Sequence, residues 1–120
     1  MSIQTILALA VLFSVSWGEV RAQSPTDSPL SHVNVIVLDT TINPAIADFI
    51  HESIMHSVQD GAVALVIQLD TPGGLLNSTR TIVKDILGAP LPVIVYVAPS
   101  GAGAGSAGVF ITMAGHIAAM

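Results

Sequence analysis

Residues 63–74, VALVIQLDTPGG, decide the fold of this chain. In residues 63–69 large aliphatic side chains occupy one face of an extended segment, and Ala, Val and Gln occupy the other. Largely apolar character on both faces is typical of a buried parallel β-strand. The loop that follows, Asp70 to Gly74, contains two adjacent glycines, which allow backbone conformations closed to other residues. The stretch therefore predicts a central parallel strand with a glycine loop at its carboxyl end.

Strand and helix patterns alternate on either side of this segment. Asn43 is a suitable cap and Pro44 a suitable first residue for a helix, and apolar residues at helical spacing predict two later helices. The predicted strands are Val33–Leu38, Val63–Leu69 and Pro92–Val97, and the predicted helices are Pro44–Gln59, Leu75–Leu87 and Ala107–His116. The order β-α-β-α-β-α predicts an α/β fold with a parallel sheet. Adjacent parallel strands would bring the loop at 70–74 beside the loop after the third strand.

That second loop, Pro99 to Gly108 (PSGAGAGSAG), contains two serines among glycine and alanine. Ser106 stands where the last helix is predicted to start, and free N–H groups at a helix start stabilise developing negative charge. Ser106 is therefore the candidate nucleophile in preference to Ser100, which has no helical neighbour to supply such groups. The candidate oxyanion-hole donors are the N–H groups of Gly73 or Gly74 and of Ala107. A flexible Gly/Ala loop and a tight Pro-Gly turn remain the simpler interpretation of these residues alone.

The sequence contains no convincing base for Ser106. A serine nucleophile needs a base within hydrogen-bond reach, and ten residues along one helix would put His116 about 15 Å away. Lys84 is predicted to be a solvated side chain in the middle of a helix. The remaining histidines precede the first strand or lie on the first helix: His32, His51 and His56. For the strand-ending Asp39 and Asp70 we expect capping and turn roles, since neither has a second ligand at metal-binding spacing, and no metal site is predicted.

Composition excludes several classes of function. Only Arg21, Arg80 and Lys84 are basic and the net charge is -5, so no basic patch for nucleic acid can form. The absence of cysteine excludes disulfides and thiolate metal sites. No motif indicates a cofactor.

The N-terminus has the pattern of an export signal. Residues 3–17 are mostly apolar but too few for a membrane span, and Val20-Arg21-Ala22 has the small residues of a signal cleavage site. We expect a secretory signal peptide at 1–22, a polar linker at 23–31 and a folded domain at 32–120. This domain would be exported, on the periplasmic side if the protein is bacterial. An uncleaved membrane anchor is the alternative.

Three segments resemble the membrane-bound ClpP-class serine proteases of the NfeD family: Leu69–Leu75 (LDTPGGL), Tyr96–Ala102 (YVAPSGA) and Gly105–Ile111 (GSAGVFI). The resemblance covers about residues 33–120 and implies a ClpP/crotonase-like fold. It implies an endopeptidase with a Ser-Lys dyad, in which Ser106 is the nucleophile. Gly73, Gly74 and Ala107 would form the oxyanion hole. It further implies cleavage of hydrophobic segments of stomatin-like membrane proteins, a homo-oligomer, and membrane attachment through C-terminal helices.

The sequence departs from the family pattern at the base. The family's lysine follows the region that ends here at Met120, so we expect the sequence to be the N-terminal part of a longer protein and to be inactive alone. A crotonase-type enzyme acting on coenzyme A thioesters is one alternative, because it would use similar glycine-loop N–H groups. A non-catalytic exported scaffold that binds a membrane partner is the other.

Overall fold

The computed structural model describes residues 30–120, which contain a four-stranded parallel sheet in the order β1-β2-β3-β4. The strands are β1 (Val33–Asp39), β2 (Ala64–Asp70), β3 (Val93–Val97) and β4 (Ile117–Ala119), and the helices are α1 (Pro44–Gln59), α2 (Leu76–Leu87) and α3 (Ala107–Ala114). Each helix connects two neighbouring parallel strands, as crossover connections require. The predicted α/β class and parallel sheet are confirmed. The predicted signal peptide, residues 1–22, and most of the predicted linker, 23–31, lie outside the described residues.

The core lies between one face of the sheet and the three helices. On β2, Leu65, Ile67 and Leu69 are fully buried and pack in one cluster with residues of all three helices. The opposite face of β2 is only half-buried, at Val66 and Gln68. The strand predicted to be buried on both sides is therefore fully buried on the helix side and only partly buried on the other.

The prediction of where the last helix ends was wrong. Helix α3 ends at Ala114 instead of His116, and β4 begins at Ile117. A side chain at Gly115 would place its Cβ 2.9 Å from the Ile117 carbonyl and 3.0 Å from Val95 Cγ2, so this close turn needs glycine. His116 then joins the amino end of β3, where its N–H donates to the Val93 carbonyl (2.9 Å) and its Nδ1 accepts from the Val93 N–H (3.1 Å). His116 thus lies at the edge of the sheet opposite the loop that carries Ser106.

Asp60 ties the end of α1 to the start of β1. The Asn34 side-chain amide donates to Asp60 Oδ2 (3.0 Å) and to Ser57 Oγ (3.0 Å). The Ala62 N–H donates to Asp60 Oδ1 (3.1 Å). The hydrogen bond from Asn34, with smaller contributions from Ala62 and His32, holds the pKa of the Asp60 carboxyl below its ordinary value.

The lowered pKa of Asp60 predicts an acid-sensitive contribution to stability. A carboxyl with a lower pKa in the folded state stabilises the fold above its unfolded pKa of about 3.9, and this contribution is lost as pH falls through the folded-state pKa. We expect Asp60→Asn and Asn34→Ala each to weaken the pH dependence of the urea midpoint below about pH 5. The control is Asn77→Ala at an exposed position on α2, which should keep the parent's slope. Parent-like slopes in both test variants would contradict the assignment.

Candidate active site

The two glycine loops lie side by side, as the sequence predicts. β2 and β3 are paired in parallel. An ideal Cβ on Gly73 would be 2.9 Å from Ser106 Cβ and 3.6 Å from the Ala107 nitrogen. Thr71 joins the loops by its backbone, donating to the Gly103 carbonyl (2.8 Å) and accepting from the Gly105 N–H (2.8 Å). Ser106 and Gly73 are therefore in contact across the carboxyl edge of the sheet.

Ser106 has a strained backbone. Its φ of 45° is the one positive φ at a non-glycine residue within residues 30–120, and its ψ is -103°. The Gly108 N–H donates to the Gly105 carbonyl (2.8 Å), which closes a turn with Ser106 at its first central position. This geometry is close to a type II′ turn, where glycine is usual. Strain of this kind costs about 1–3 kcal/mol and is concentrated at functional sites, including the strained turns that expose nucleophilic serines.

The Ser106 side chain is available for chemistry. The residue is exposed at the start of α3, and its hydroxyl makes no capping hydrogen bond to the helix. Gly105 and Gly108 on either side are needed for packing, since a Cβ at Gly105 would be 2.6 Å from the Pro72 carbonyl and one at Gly108 would be 2.8 Å from Thr71 Cγ2. These contacts favour an ordered site over the flexible Gly/Ala loop.

Two unpaired N–H groups belong to the same site. The Gly73 carbonyl accepts from the Ile42 N–H (2.8 Å). Because C=O and N–H point in opposite directions across a trans peptide, the Gly74 N–H points away from Ile42. Within the described residues neither this N–H nor that of Ala107, at the first position of α3, has an acceptor. The Gly73 N–H, by contrast, donates to Thr71 Oγ1 (3.2 Å).

Asp70 and Thr71, which precede the glycines in the same loop, have roles that the sequence alone did not predict. Asp70 Oδ1 accepts from the Gly103 N–H (2.9 Å), so its turn role extends to holding the neighbouring loop. Thr71 is buried, with 2% exposure, and its hydroxyl binds Gly73. The available signal was a hydroxyl residue placed two positions before a glycine in a loop, a pattern that favours local side-chain-to-backbone bonds.

The histidines lie away from this site. His32 and His56 contact Asp60, and His51 contacts Asp85, through nitrogen-to-oxygen distances of 3.3–3.5 Å.

Residues 30–120 contain no group of three His, Cys, Asp or Glu side chains arranged to hold a metal ion. The helices described are also too short or too polar to span a bilayer.

The family of the chain follows from its match to the NfeD1b N-terminal domain, whose family model covers residues 32–120. The chain belongs to the NfeD1b N-terminal domain family. Its sequence is 48% identical over 62 residues to membrane-bound protease PH1510 of Pyrococcus horikoshii, an alignment covering 52% of this chain and 14% of that protein.

Solved structures place this NfeD1b domain among ClpP-like folds. It matches 1510-N, a membrane-bound stomatin-specific protease from Pyrococcus horikoshii, in a serine-to-alanine variant (TM-score 0.72, 38% identity, 74% of this chain and 44% of that chain). It also matches the lysine-to-alanine variant of 1510-N in complex with a substrate peptide (TM-score 0.71, 39% identity, 74% and 41%). ClpP1 from Listeria monocytogenes shares the fold (TM-score 0.60, 19% identity, 68% and 46%). The chain spans less than half the length of these solved relatives.

A groove runs between α2 and α3 of the NfeD1b domain. Its volume is about 570 Å³, and its lining residues are Leu76, Thr79, Arg80, Val83, Lys84 and Phe110. Phe110 is 60% exposed and Leu76 is 62% exposed, so their apolar side chains are open to solvent. Phe110 follows Ser106 by four residues, so the groove begins about one helical turn from the candidate nucleophile, which is not itself a lining residue.

Proposed function

We propose that the protein containing this domain is a serine endopeptidase with Ser106 as its nucleophile. The observation that carries the proposal is the geometry of Ser106. This residue is strained and exposed, and it contacts Gly73, which directly precedes the unpaired N–H of Gly74. Ser106 Oγ attacks the scissile carbonyl carbon and gives up its proton to a base. The resulting tetrahedral intermediate collapses to an acyl-enzyme, and the amine leaves with that proton. Water then hydrolyses the ester and regenerates the serine.

The oxyanion of the tetrahedral intermediate would accept hydrogen bonds from Gly74 and Ala107. Their N–H groups lie on the two sides of Ser106 and have no acceptor among the described residues. Gly73 contributes in a different way, because its N–H is paired with Thr71 and its lack of a side chain lets the loops approach. One oxyanion donor is worth about 2.7–4 kcal/mol in serine proteases.

We propose that the base is a lysine outside residues 1–120, which completes a Ser-Lys dyad. Burial among apolar groups lowers the pKa of a lysine, and a neutral amine can then accept the serine proton. The support is the family resemblance together with the relative solved as a lysine-to-alanine variant with a substrate peptide. We therefore expect residues 1–120 alone not to cleave peptides.

The proposed substrate is an apolar segment of a stomatin-like membrane protein. The relative 1510-N is specific for a stomatin homolog, and the groove between α2 and α3 offers Leu76, Val83 and Phe110 to such a segment. A membrane-bound relative supports membrane association of the complete protein. Homo-oligomerisation and a position outside the cytoplasm are part of the same proposal and follow from the family resemblance and the N-terminal pattern.

Full-length protein incubated with a fluorophosphonate probe and with a stomatin-derived apolar peptide tests the activity. We expect labelling of Ser106 and cleavage of the peptide. Failure of both, together with thermal protection by a coenzyme A thioester, would favour a crotonase-type enzyme. Failure of both with tight peptide binding would favour a scaffold.

A substitution in the groove tests the substrate segment. We expect Phe110→Ser to raise KM for the apolar peptide about 10- to 100-fold, because one buried apolar contact is worth about 1.5–3 kcal/mol. Labelling by a small fluorophosphonate should stay at the parent rate. Met113→Ser is the matched control, since Met113 is on the same helix but is 76% exposed and outside the groove lining. Equal KM changes in both variants would show that the groove does not bind the substrate.

A further inference from the structure

We propose that the Thr71 hydroxyl is a positioning group that fixes the direction of the Gly74 N–H. This inference rests on the proposed function, in which that N–H is an oxyanion donor. Thr71 Oγ1 lies 3.2 Å from the Gly73 nitrogen and 3.3 Å from the Gly73 carbonyl oxygen. One hydroxyl therefore accepts from the Gly73 N–H and donates to the Gly73 carbonyl.

The bond to the Gly73 carbonyl determines where the next N–H points. The Gly73 carbonyl and the Gly74 N–H belong to the same trans peptide, so holding the oxygen on one side turns the N–H to the other side. The Ile42 N–H also holds this oxygen, at 2.8 Å. Gly73 has a φ of 126°, and glycine can change φ and ψ with little steric resistance. Without the hydroxyl, a single hydrogen bond from Ile42 would hold this carbonyl in place.

The backbone of Thr71 carries this control to the nucleophile. Its N–H and carbonyl pair with Gly103 and Gly105, the residues that lead into Ser106. Its methyl group faces Gly108 in the first turn of α3. Thr71 therefore contacts the peptide of the oxyanion donor and the loop of the nucleophile, and it sets one relative to the other.

The hydroxyl and the methyl of Thr71 can be tested separately. Thr71→Val keeps the shape and removes the hydroxyl, whereas Thr71→Ser keeps the hydroxyl and removes the methyl. We expect Thr71→Val to lower kcat for peptide cleavage about 10- to 100-fold with little change in KM, since a misdirected oxyanion donor acts on the transition state. A peptide boronic acid, which forms a tetrahedral adduct on the serine, should bind more weakly by a similar factor. Thr71→Ser should keep kcat within about threefold of the parent while lowering the unfolding midpoint.

The comparison separates positioning from general destabilisation. A purely structural role would lower kcat in both variants in proportion to their loss of stability, and would overturn the proposal. If Thr71→Val does not fold, Thr71→Ala against Thr71→Ser gives the same contrast, because both lack the methyl and only serine has the hydroxyl. Parent-like kcat in Thr71→Val or Thr71→Ala, with Ser106 still labelled, would also overturn it and leave the protease assignment intact. An unlabelled parent protein would instead mean that the protease assignment had failed.

Discussion

Ser106→Ala in the full-length protein should abolish fluorophosphonate labelling and reduce peptide cleavage by at least about 1,000-fold. The alanine has no oxygen to form the acyl-enzyme, and the residual rate would come from the oxyanion donors and substrate binding. The fold should survive, because the Ser106 side chain is exposed and makes no capping hydrogen bond. Mass spectrometry of the labelled protein and circular dichroism of the variant measure the two results.

A second serine in the same loop provides the control. Ser100 is exposed and lies three residues after the end of β3, so Ser100→Ala should be labelled and should cleave at the parent rate. Labelling of the Ser106→Ala protein, or loss of labelling in Ser100→Ala alone, would assign the nucleophile to a different residue.

The strain at Ser106 predicts that glycine at this position makes the fold more stable than alanine does. Ser106→Gly should be as inactive as Ser106→Ala but more stable than it by about 1 kcal/mol, because glycine adopts φ near 45° without the Cβ penalty. Urea unfolding of the two inactive variants measures this difference directly. A less stable glycine variant would mean that the turn is not strained in solution.

How much of this site the sequence predicts depends on how local each signal is. The strand order and the neighbouring glycine loops follow from alternating apolar patterns, so the contact between Gly73 and Ser106 could be expected. The hydroxyl of Thr71 could not be assigned, because its partner is the Gly73 peptide and this bond depends on one loop conformation. Likewise Ile42 carries no polar side chain, yet its backbone holds the Gly73 carbonyl.

The error at the end of α3 has a similar cause. Residues 107–120 are apolar enough to continue a helix. However, Gly115 packs so closely on β3 that an added Cβ would lie 3.0 Å from Val95 Cγ2, and this close packing exists only once β3 is in place. Tertiary contact then overrides local propensity, and the chain leaves the helix to pair with β3. The half-exposed face of β2 also escaped prediction, since the sequence of a strand does not show how many of its faces are covered.

Of the single methyl groups that can be added to the site, the one in Gly74→Ala should be the most damaging to stability and activity. A Cβ at this position would lie 2.6 Å from the Ile42 nitrogen and 2.7 Å from its carbonyl carbon. Ile42 is fully buried, and its N–H and carbonyl pair with Gly73 and Leu75. The backbone of Ile42 cannot retreat without breaking these bonds, so the glycine loop must move instead.

Two consequences of that movement can be measured. The free energy of unfolding should fall by about 1–3 kcal/mol or more, the usual cost of inserting a group into a packed site. Cleavage by the full-length protein should fall about 100-fold, because a displacement of about 1 Å at an oxyanion donor has an effect of that size. Urea unfolding and kcat/KM for the apolar peptide report the two losses.

Gly103→Ala is the matched control for Gly74→Ala. It adds the same methyl group to the neighbouring loop, where a Cβ would meet nothing within 4 Å. Its stability and kcat/KM should stay close to those of the parent, since the Gly103 bonds to Asp70 and Thr71 use only backbone atoms of Gly103. Equal activity in the two variants would show that the Gly74 peptide does not act on the reaction. Loss of activity in Gly74→Ala alone would tie the close packing of Gly74 on Ile42 to the chemistry at Ser106.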